Sequence, residues 1–422
     1  MRLTEKNWLL ILVIVGLILL GILFPLNHLD LKSGPIRNRS YSWLNYEAAD
    51  GGPENQCDCA AILQGDSEAL QKAKTLTITK DFQKSIKIPN EYYISASQDC
   101  KTFKANRKYV TFPLSRVEED FPLAYSVVVH HKVQNFERLL RAIYAPQNIY
   151  CIHVDQKSDA SVYSAISAIT SCFPNVFMVS QRVDVVYAAW SRVQADINCM
   201  ADLYNATTKW KYFINLCGQD FPLKTNLEIV NALLSLGGDN SMESEKMSEN
   251  KRNRVTHVHK IVNGQNQPTG NLKGPPPSNL PILTGSAYIV VNRGYVRSVL
   301  EDNRIPALIE WAKDTFVPDE LFWATIQRLP GVPGSKRPHP KYDMTDMNAI
   351  VRLVKWQEHE GEVYPECHGH HVRSVCVYGF GDVQWLLQQH HLFANKFDTE
   401  IDPIAVYCLE KYLRKKALAQ LF

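Results

Sequence analysis

Two kinds of apolar run organise this chain. One is long: Trp8 to Leu26 reads WLLILVIVGLILLGILFPL without a charge, close to the roughly 20 residues that a bilayer-spanning helix needs. The others are short and recur. Leu123 to His131 (LAYSVVVHH) and Asn148 to Asp155 (NIYCIHVD) are nearly continuous apolar stretches, as in strands buried on both faces. Between them Phe136, Leu139, Leu140, Ile143 and Tyr144 fall at helical spacing, and Pro146 stops that helix. The alternation continues with a helix over 161–171, a strand over 175–180 (NVFMVS), a helix over 191–204 and a strand over 211–216 (KYFINL). It predicts an α/β fold with a mostly parallel sheet and helices on both faces.

These runs divide the chain into a tail (1–7), a transmembrane signal-anchor (8–26), a polar stem (27–120) broken by Gly51-Gly52-Pro53, and a globular domain (121–422). The apolar run exceeds a signal-peptide core and no A-x-A-like site follows it, so the anchor is expected to stay uncleaved. Arg2 and Lys6, opposed only by Glu5, keep the tail cytosolic and leave the remainder lumenal. In that oxidising compartment the ten cysteines read as a disulfide framework whose pairing the sequence alone leaves open. Sequons at Asn38 and Asn205 fit the same exposure. A net charge of +3, with no arginine-rich run, points to no nucleic-acid partner.

Ligands of such sheets collect beyond the carboxyl ends of the strands, where His130 and Asp155 fall. Asp155 either accepts from a ribose or base or caps the following helix. Neither GxGxxG nor GxxxxGK[ST] is present, and no Asp-x-Asp pair follows a strand to hold a metal against a diphosphate. The stretch 237–281 is charged and loop-like, carrying Glu243, Glu245, Lys251, Arg252 and Arg254, and 284–291 (TGSAYIVV) returns to a strand. In WAKDTFVPDELFWAT, Pro318 opens a helix with Asp319 and Glu320 in its first turn and Leu321, Phe322 and Trp323 as its buried face. Acidic residues there complement the helix dipole; alternatively, one of them accepts a proton from a hydroxyl nucleophile. The tract CHGHHVRSVC (367–376) invites a zinc reading, but its spacing matches no finger and a lumenal disulfide is favoured. Such a small loop would fix Arg373, which with Lys396 could meet one anionic group.

The motifs AYSVVVHHKVQNFERLLRAIYAPQNIYCIHVD, VVYAAWSRVQADINCM, INLCGQDFPLKTN, PDELFWATIQR, HVRSVCVYG and HHLFANKFD are long, and on them the chain resembles the core 2 β-1,6-N-acetylglucosaminyltransferases, which branch mucin-type O-glycans. The resemblance covers essentially everything after the anchor. It implies a single-pass type II Golgi membrane protein with a GT-A-like, Rossmann-like catalytic domain. The implied reaction is inverting transfer of GlcNAc from UDP-GlcNAc to the GalNAc 6-hydroxyl of Galβ1-3GalNAc on Ser or Thr. The implied base is Glu320. Arg373 and Lys396 would neutralise the departing diphosphate, so no divalent metal or other cofactor is expected. By the same resemblance Val128, Val129, His130, Asp155, Gln156, Lys157 and Tyr187 would hold the donor, and Glu243, Lys251, Arg254 and Trp356 the acceptor. Implied disulfides are Cys59 with Cys408, Cys100 with Cys172, Cys151 with Cys199 and Cys367 with Cys376. Cys217 would stay free, and Cys57 has no partner in that scheme, which leaves open its pairing in place of Cys59 or a link between two chains as a dimer.

Glu358 stands where some members carry an aromatic residue, so core 4 and I-antigen branching enter as alternative activities. A non-catalytic Golgi glycan-binding protein is the reading from another class. Glu320, Arg373 and Lys396 argue against it, since a scaffold needs neither a base nor a diphosphate clamp.

Overall fold

Strand β1 (Leu123–Val129) is buried at every position, as its continuous apolar run requires. It pairs in parallel with β2 (Ile149–Val154) on one side and β4 (Tyr212–Cys217) on the other, and β2 pairs in parallel with β3 (Val176–Met178). The short Val290–Asn292 strand closes the sheet antiparallel to β4. The sheet order is therefore Val290–Asn292, β4, β1, β2, β3. Helices Val133–Ile143, Ala160–Ser171 and Trp190–Asn205 make the crossovers. From β1 to β3 the chain steps outward in one direction; the last crossover returns it to the far side of β1. The order thus reverses between β1 and β4, and a ligand crevice is expected at their carboxyl ends.

This computed structural model describes residues 56–79, 82, 87–336 and 349–421. The proposed anchor and Asn38 lie outside the described residues. Among those described, no helix is long and apolar enough to cross a membrane. Among the described residues, helices Cys59–Leu63, Ser67–Thr77, Asn90–Ala96, Cys100–Asn106 and Arg116–Glu119 precede β1, and Asp58, Asp66 and Asp99 cap three of these by accepting from first-turn amides. Tyr93, Phe103 and Tyr109 bury in one apolar cluster with β1 and β2. Disulfides join Cys59–Cys408, Cys100–Cys172, Cys151–Cys199 and Cys367–Cys376.

Two segments depart from the pattern reading. The 284–291 run is not one strand: Leu283–Thr284 pairs with Glu245–Lys246, and only Val290–Asn292 joins the main sheet. At the break Gly285 lies so close to Glu243 that a Cβ would stand 2.2 Å from the Glu243 carbonyl oxygen. The charged 237–281 stretch is also not simply a loop. It contains a 3₁₀ turn, Glu249–Val255, and an antiparallel hairpin, His257–Val262 with Gln265–Leu272. Asn263 and Gly264 form its turn, both at positive φ (51° and 74°), as a two-residue hairpin turn demands. One face is largely exposed, which gives the segment its polar composition.

A second sheet of Arg352–Val354, Phe393–Asn395 and Asp220–Pro222 ends its middle strand directly before Lys396. The predicted helix at Pro318 is a single 3₁₀ turn, Pro318–Glu320, followed by the short helix Phe322–Ile326.

Candidate active site

His130 leaves the end of β1 and stacks on His131 with ring centroids 3.9 Å apart. Burial is the main influence lowering the His130 pKa. Asp155 opposes it, while the charges of Lys157, Lys396 and Arg373 reinforce it. Three cations and one carboxylate therefore bear on a single imidazole at the crevice. His131 is pushed down to about 4, chiefly by burial and then by His130 and Lys132, so neutral pH leaves it uncharged.

Asp155 organises the loops of this pocket. Its Oδ1 accepts from Lys157 N at 3.1 Å and Val185 N at 3.3 Å, and Lys157 Nζ lies 3.3 Å from Oδ2. It therefore ties the turn after β2 to the 183–187 loop. Gln156 and Lys157 are exposed beside it, whereas Val128 and Val129 are buried. At the end of the 183–187 loop Tyr187 is 75% exposed, and the Arg373 guanidinium sits over its ring, 5.2 Å from the centroid.

Arg373 occupies the tip of a hairpin, His370–Val372 with Val375–Val377, and both tip residues, Arg373 and Ser374, adopt positive φ. The Cys367–Cys376 bond closes the base of this hairpin. Gly369 permits the closure, because a Cβ there would lie 1.8 Å from Val377 O. Buried Asp382 accepts from Lys355 Nζ at 2.8 Å, His368 N at 3.1 Å and Gly379 N at 2.9 Å. His371 Nε2 meets Glu360 Oε1 at 2.8 Å. On the other edge Trp356 bridges Val375, and Gln357 N donates to Ser374 O at 2.9 Å, so Trp356 travels with the arginine tip. The backbone of Lys396 runs beside the inner strand, with Tyr378 N donating to its carbonyl at 2.9 Å.

The second half of the site surrounds Glu320. Its Oε2 accepts from Arg254 Nη1 at 2.6 Å, with the carboxylate side chain 33% exposed. Glu320 O accepts from Gly285 N at 2.9 Å, and Gly285 is the residue pressed against Glu243. Glu243, Arg254 and Glu320 therefore form one group. Lys251 instead faces Glu245 at 3.7 Å. The two halves touch where Val317 N donates to Ala188 O at 2.9 Å.

Among the described residues, one grouping of potential metal ligands is compact: Glu360, Cys367 and Cys376. Both of its sulfurs are joined in a disulfide, so it offers no thiolate. Asn205 ends the Trp190–Asn205 helix and is exposed.

The family model described as Core-2/I-Branching enzyme matches residues 123–387. The chain belongs to the core-2/I-branching enzymes. It is similar to the human beta-1,3-galactosyl-O-glycosyl-glycoprotein beta-1,6-N-acetylglucosaminyltransferase, 52% identical over 380 residues that cover 89% of each chain. The beta-1,6-N-acetylglucosaminyltransferase 3 of Bos taurus is 51% identical over 397 residues, covering 92% of this chain and 89% of the relative. A bovine herpesvirus 4 transferase matches to the same extent. As a core-2/I-branching enzyme the chain is a glycosyltransferase.

Some contacts of this branching-enzyme site were not visible from its motifs. Asp196 accepts from Ser126 Oγ at 2.8 Å, Arg192 Nη1 at 2.7 Å and Asn215 Nδ2 at 2.9 Å, forming a polar knot beneath the crevice. Arg192 and Arg352 flank the Tyr288 ring, 5.7 and 3.1 Å from its centroid. Asp319, next to Glu320, is pushed up to about 6, first by burial and then by Glu320, against the pull of Arg192. The Arg192–Asp196 spacing of four on a helix was the one available signal. Cys217 is a free thiol whose pKa burial raises, with Asp220 adding to the shift.

Proposed function

We propose that this enzyme transfers GlcNAc from UDP-GlcNAc, with inversion, to the 6-hydroxyl of GalNAc in Galβ1-3GalNAc-Ser/Thr, forming core 2 branches. The observation that carries the reading is the Arg254–Glu320 pair. With Oε2 engaged at 2.6 Å, Oε1 is left to take the acceptor proton. As the C6 oxygen forms its bond to the donor C1, the C1–phosphate oxygen bond breaks and its electron pair leaves with UDP. Glu320 holds the proton. Arg373 and Lys396 balance the charge on the diphosphate, and such fixed cations supply stabilisation that a divalent ion otherwise gives.

The donor nucleotide lies along Val128, Val129, His130, Asp155, Gln156, Lys157 and Tyr187, and the acceptor contacts Glu243, Lys251, Arg254 and Trp356. In this reading Lys251 exchanges Glu245 for a sugar hydroxyl. The parallel-rich sheet with its reversal beside β1 fits a GT-A-like domain. A type II anchor would hold that domain in the Golgi lumen, as the apolar run at residues 8–26 suggests. Because Glu358 is acidic and exposed next to Trp356, core 3 and lactosamine acceptors form the second set to assay, corresponding to core 4 and I branching.

The test is transfer by the full chain from UDP-GlcNAc to a Galβ1-3GalNAc acceptor in excess EDTA. Product linked at the 6-position is expected. Transfer that returns only with a divalent ion would remove Arg373 and Lys396 from their roles. Glu320→Gln is expected to slow turnover by about 10²–10⁴-fold, the usual contribution of a general base; full activity would refute the base.

A further inference from the structure

Two residues at the rim of the site hold backbone conformations that side chains disfavour: Ala188 at φ 58° and Val317 at φ 51°. A β-branched residue at positive φ is an outlier, and such conformations persist when their surroundings over-determine them. Here they constrain each other, because Val317 N donates to Ala188 O at 2.9 Å. Ala188 directly follows Tyr187, on which Arg373 stacks. Val317 directly precedes the Pro318–Glu320 turn.

A third group meets this contact. Asn266, on the second strand of the 257–272 hairpin, donates from Nδ2 to Ala188 O at 2.7 Å and to Thr315 O at 3.0 Å. The amide nitrogen has two hydrogens, and both are used, one on each loop. We propose that Asn266 is a positioning residue that clamps the donor-side loop to the base loop, setting the leaving-group contacts and the base relative to each other through one carboxamide. The inference rests on Glu320 as base and on Tyr187 and Arg373 as donor contacts.

Other bonds hold the hairpin in place. His259 N donates to Asp314 O at 2.8 Å, its ring stacks on Phe316 at 5.5 Å, and Lys273 Nζ donates to Trp311 O at 2.6 Å and pairs with Asp314. Phe316 N donates to Arg254 O at 3.0 Å, tying the same segment to the residue that holds Glu320. Removing the Asn266 amide therefore loosens the junction of the two loops without detaching the hairpin. Chemistry separates this role from packing. An aspartate has the same shape but turns acceptors toward two carbonyl oxygens, whereas alanine merely leaves them without the donor.

The test compares Asn266→Ala and Asn266→Asp in the full chain by kcat, by the KM of each substrate, by UDP affinity in calorimetry and by melting temperature. The clamp predicts kcat lower by roughly tenfold in Asn266→Ala, since small misplacements of reacting groups are costly. It also predicts weaker UDP binding, a larger loss on both counts in Asn266→Asp, and melting temperatures close to the parent. Gln267→Ala, on the exposed neighbour, should change none of these. Asn266→Ser, whose single donor cannot serve both carbonyls, replaces either variant should it not fold. Parent-like kcat and UDP affinity, or Asn266→Asp outperforming Asn266→Ala, would overturn the clamp. Turnover retained by Glu320→Gln would instead refute the base. The clamp would then be judged on UDP affinity and on the Asp-below-Ala order, neither of which requires Glu320.

Discussion

Asp402 shows how a single buried carboxyl sets a pH dependence far from the reacting groups. It caps the last long helix, Pro403–Leu418, accepting from Ala405 N at 2.9 Å and Phe380 N at 2.8 Å. Burial pushes it from its ordinary 3.8 up to about 6, against the backbone hydrogen bonds that pull it down. Between about 4 and 6 the folded chain therefore holds a proton that the unfolded chain has released, and stability falls as pH rises through that window. Asparagine carries no titrating group but offers one acceptor where the carboxyl accepts from both Ala405 N and Phe380 N. Asp402→Asn should thus flatten the decline of stability between pH 4 and 6 without a gain at pH 7, because its NH2 faces one of the two backbone donors; denaturant unfolding at several pH values reads the slope. Asp319 contributes in the same direction, so the slope should diminish without vanishing.

Among the elements, the Arg373 hairpin is the clearest case of local rigidity. Its disulfide spans only 9 positions, and a loop so short removes little entropy from the unfolded chain. Replacing both Cys367 and Cys376 with serine should shift the melting temperature modestly while raising the KM for UDP-GlcNAc several-fold, as the arginine tip loses its fixed position. An unchanged KM would detach the disulfide from donor binding. The cysteine-flanked arginine was legible in the sequence because both flanks are local. So were β1 and β2, which are buried on both faces and so appear as continuous apolar runs. The 257–272 hairpin was missed although Asn263-Gly264 marks its turn, because one face is solvated and its strands lack an apolar alternation. Asn266 had no comparable signal, and the Asp196 knot had only the helical spacing of Arg192 and Asp196. Their partners are backbone carbonyls and side chains from distant segments, which only the folded topology brings together.

The reversal of strand order beside β1 accounts for the position of the site, and the second sheet sets Lys396 directly after its middle strand. His130 and Asp155 follow the first two strands, Glu320 lies in a loop far along the chain, and Lys396 comes from near the C terminus. Cys59–Cys408 spans 349 positions and links the first described helix to the last long one. Replacing this pair with serine should lower stability by about 2–5 kcal/mol, measurable by denaturant unfolding, and should do so more strongly than loss of the short Cys367–Cys376 link. The long bond also makes the body a covalent ring that contains every strand of both sheets. A protease that cuts once at the exposed Asn263-Gly264 turn would leave a single molecule of unchanged mass apart from one added water, and two fragments would separate only after reduction.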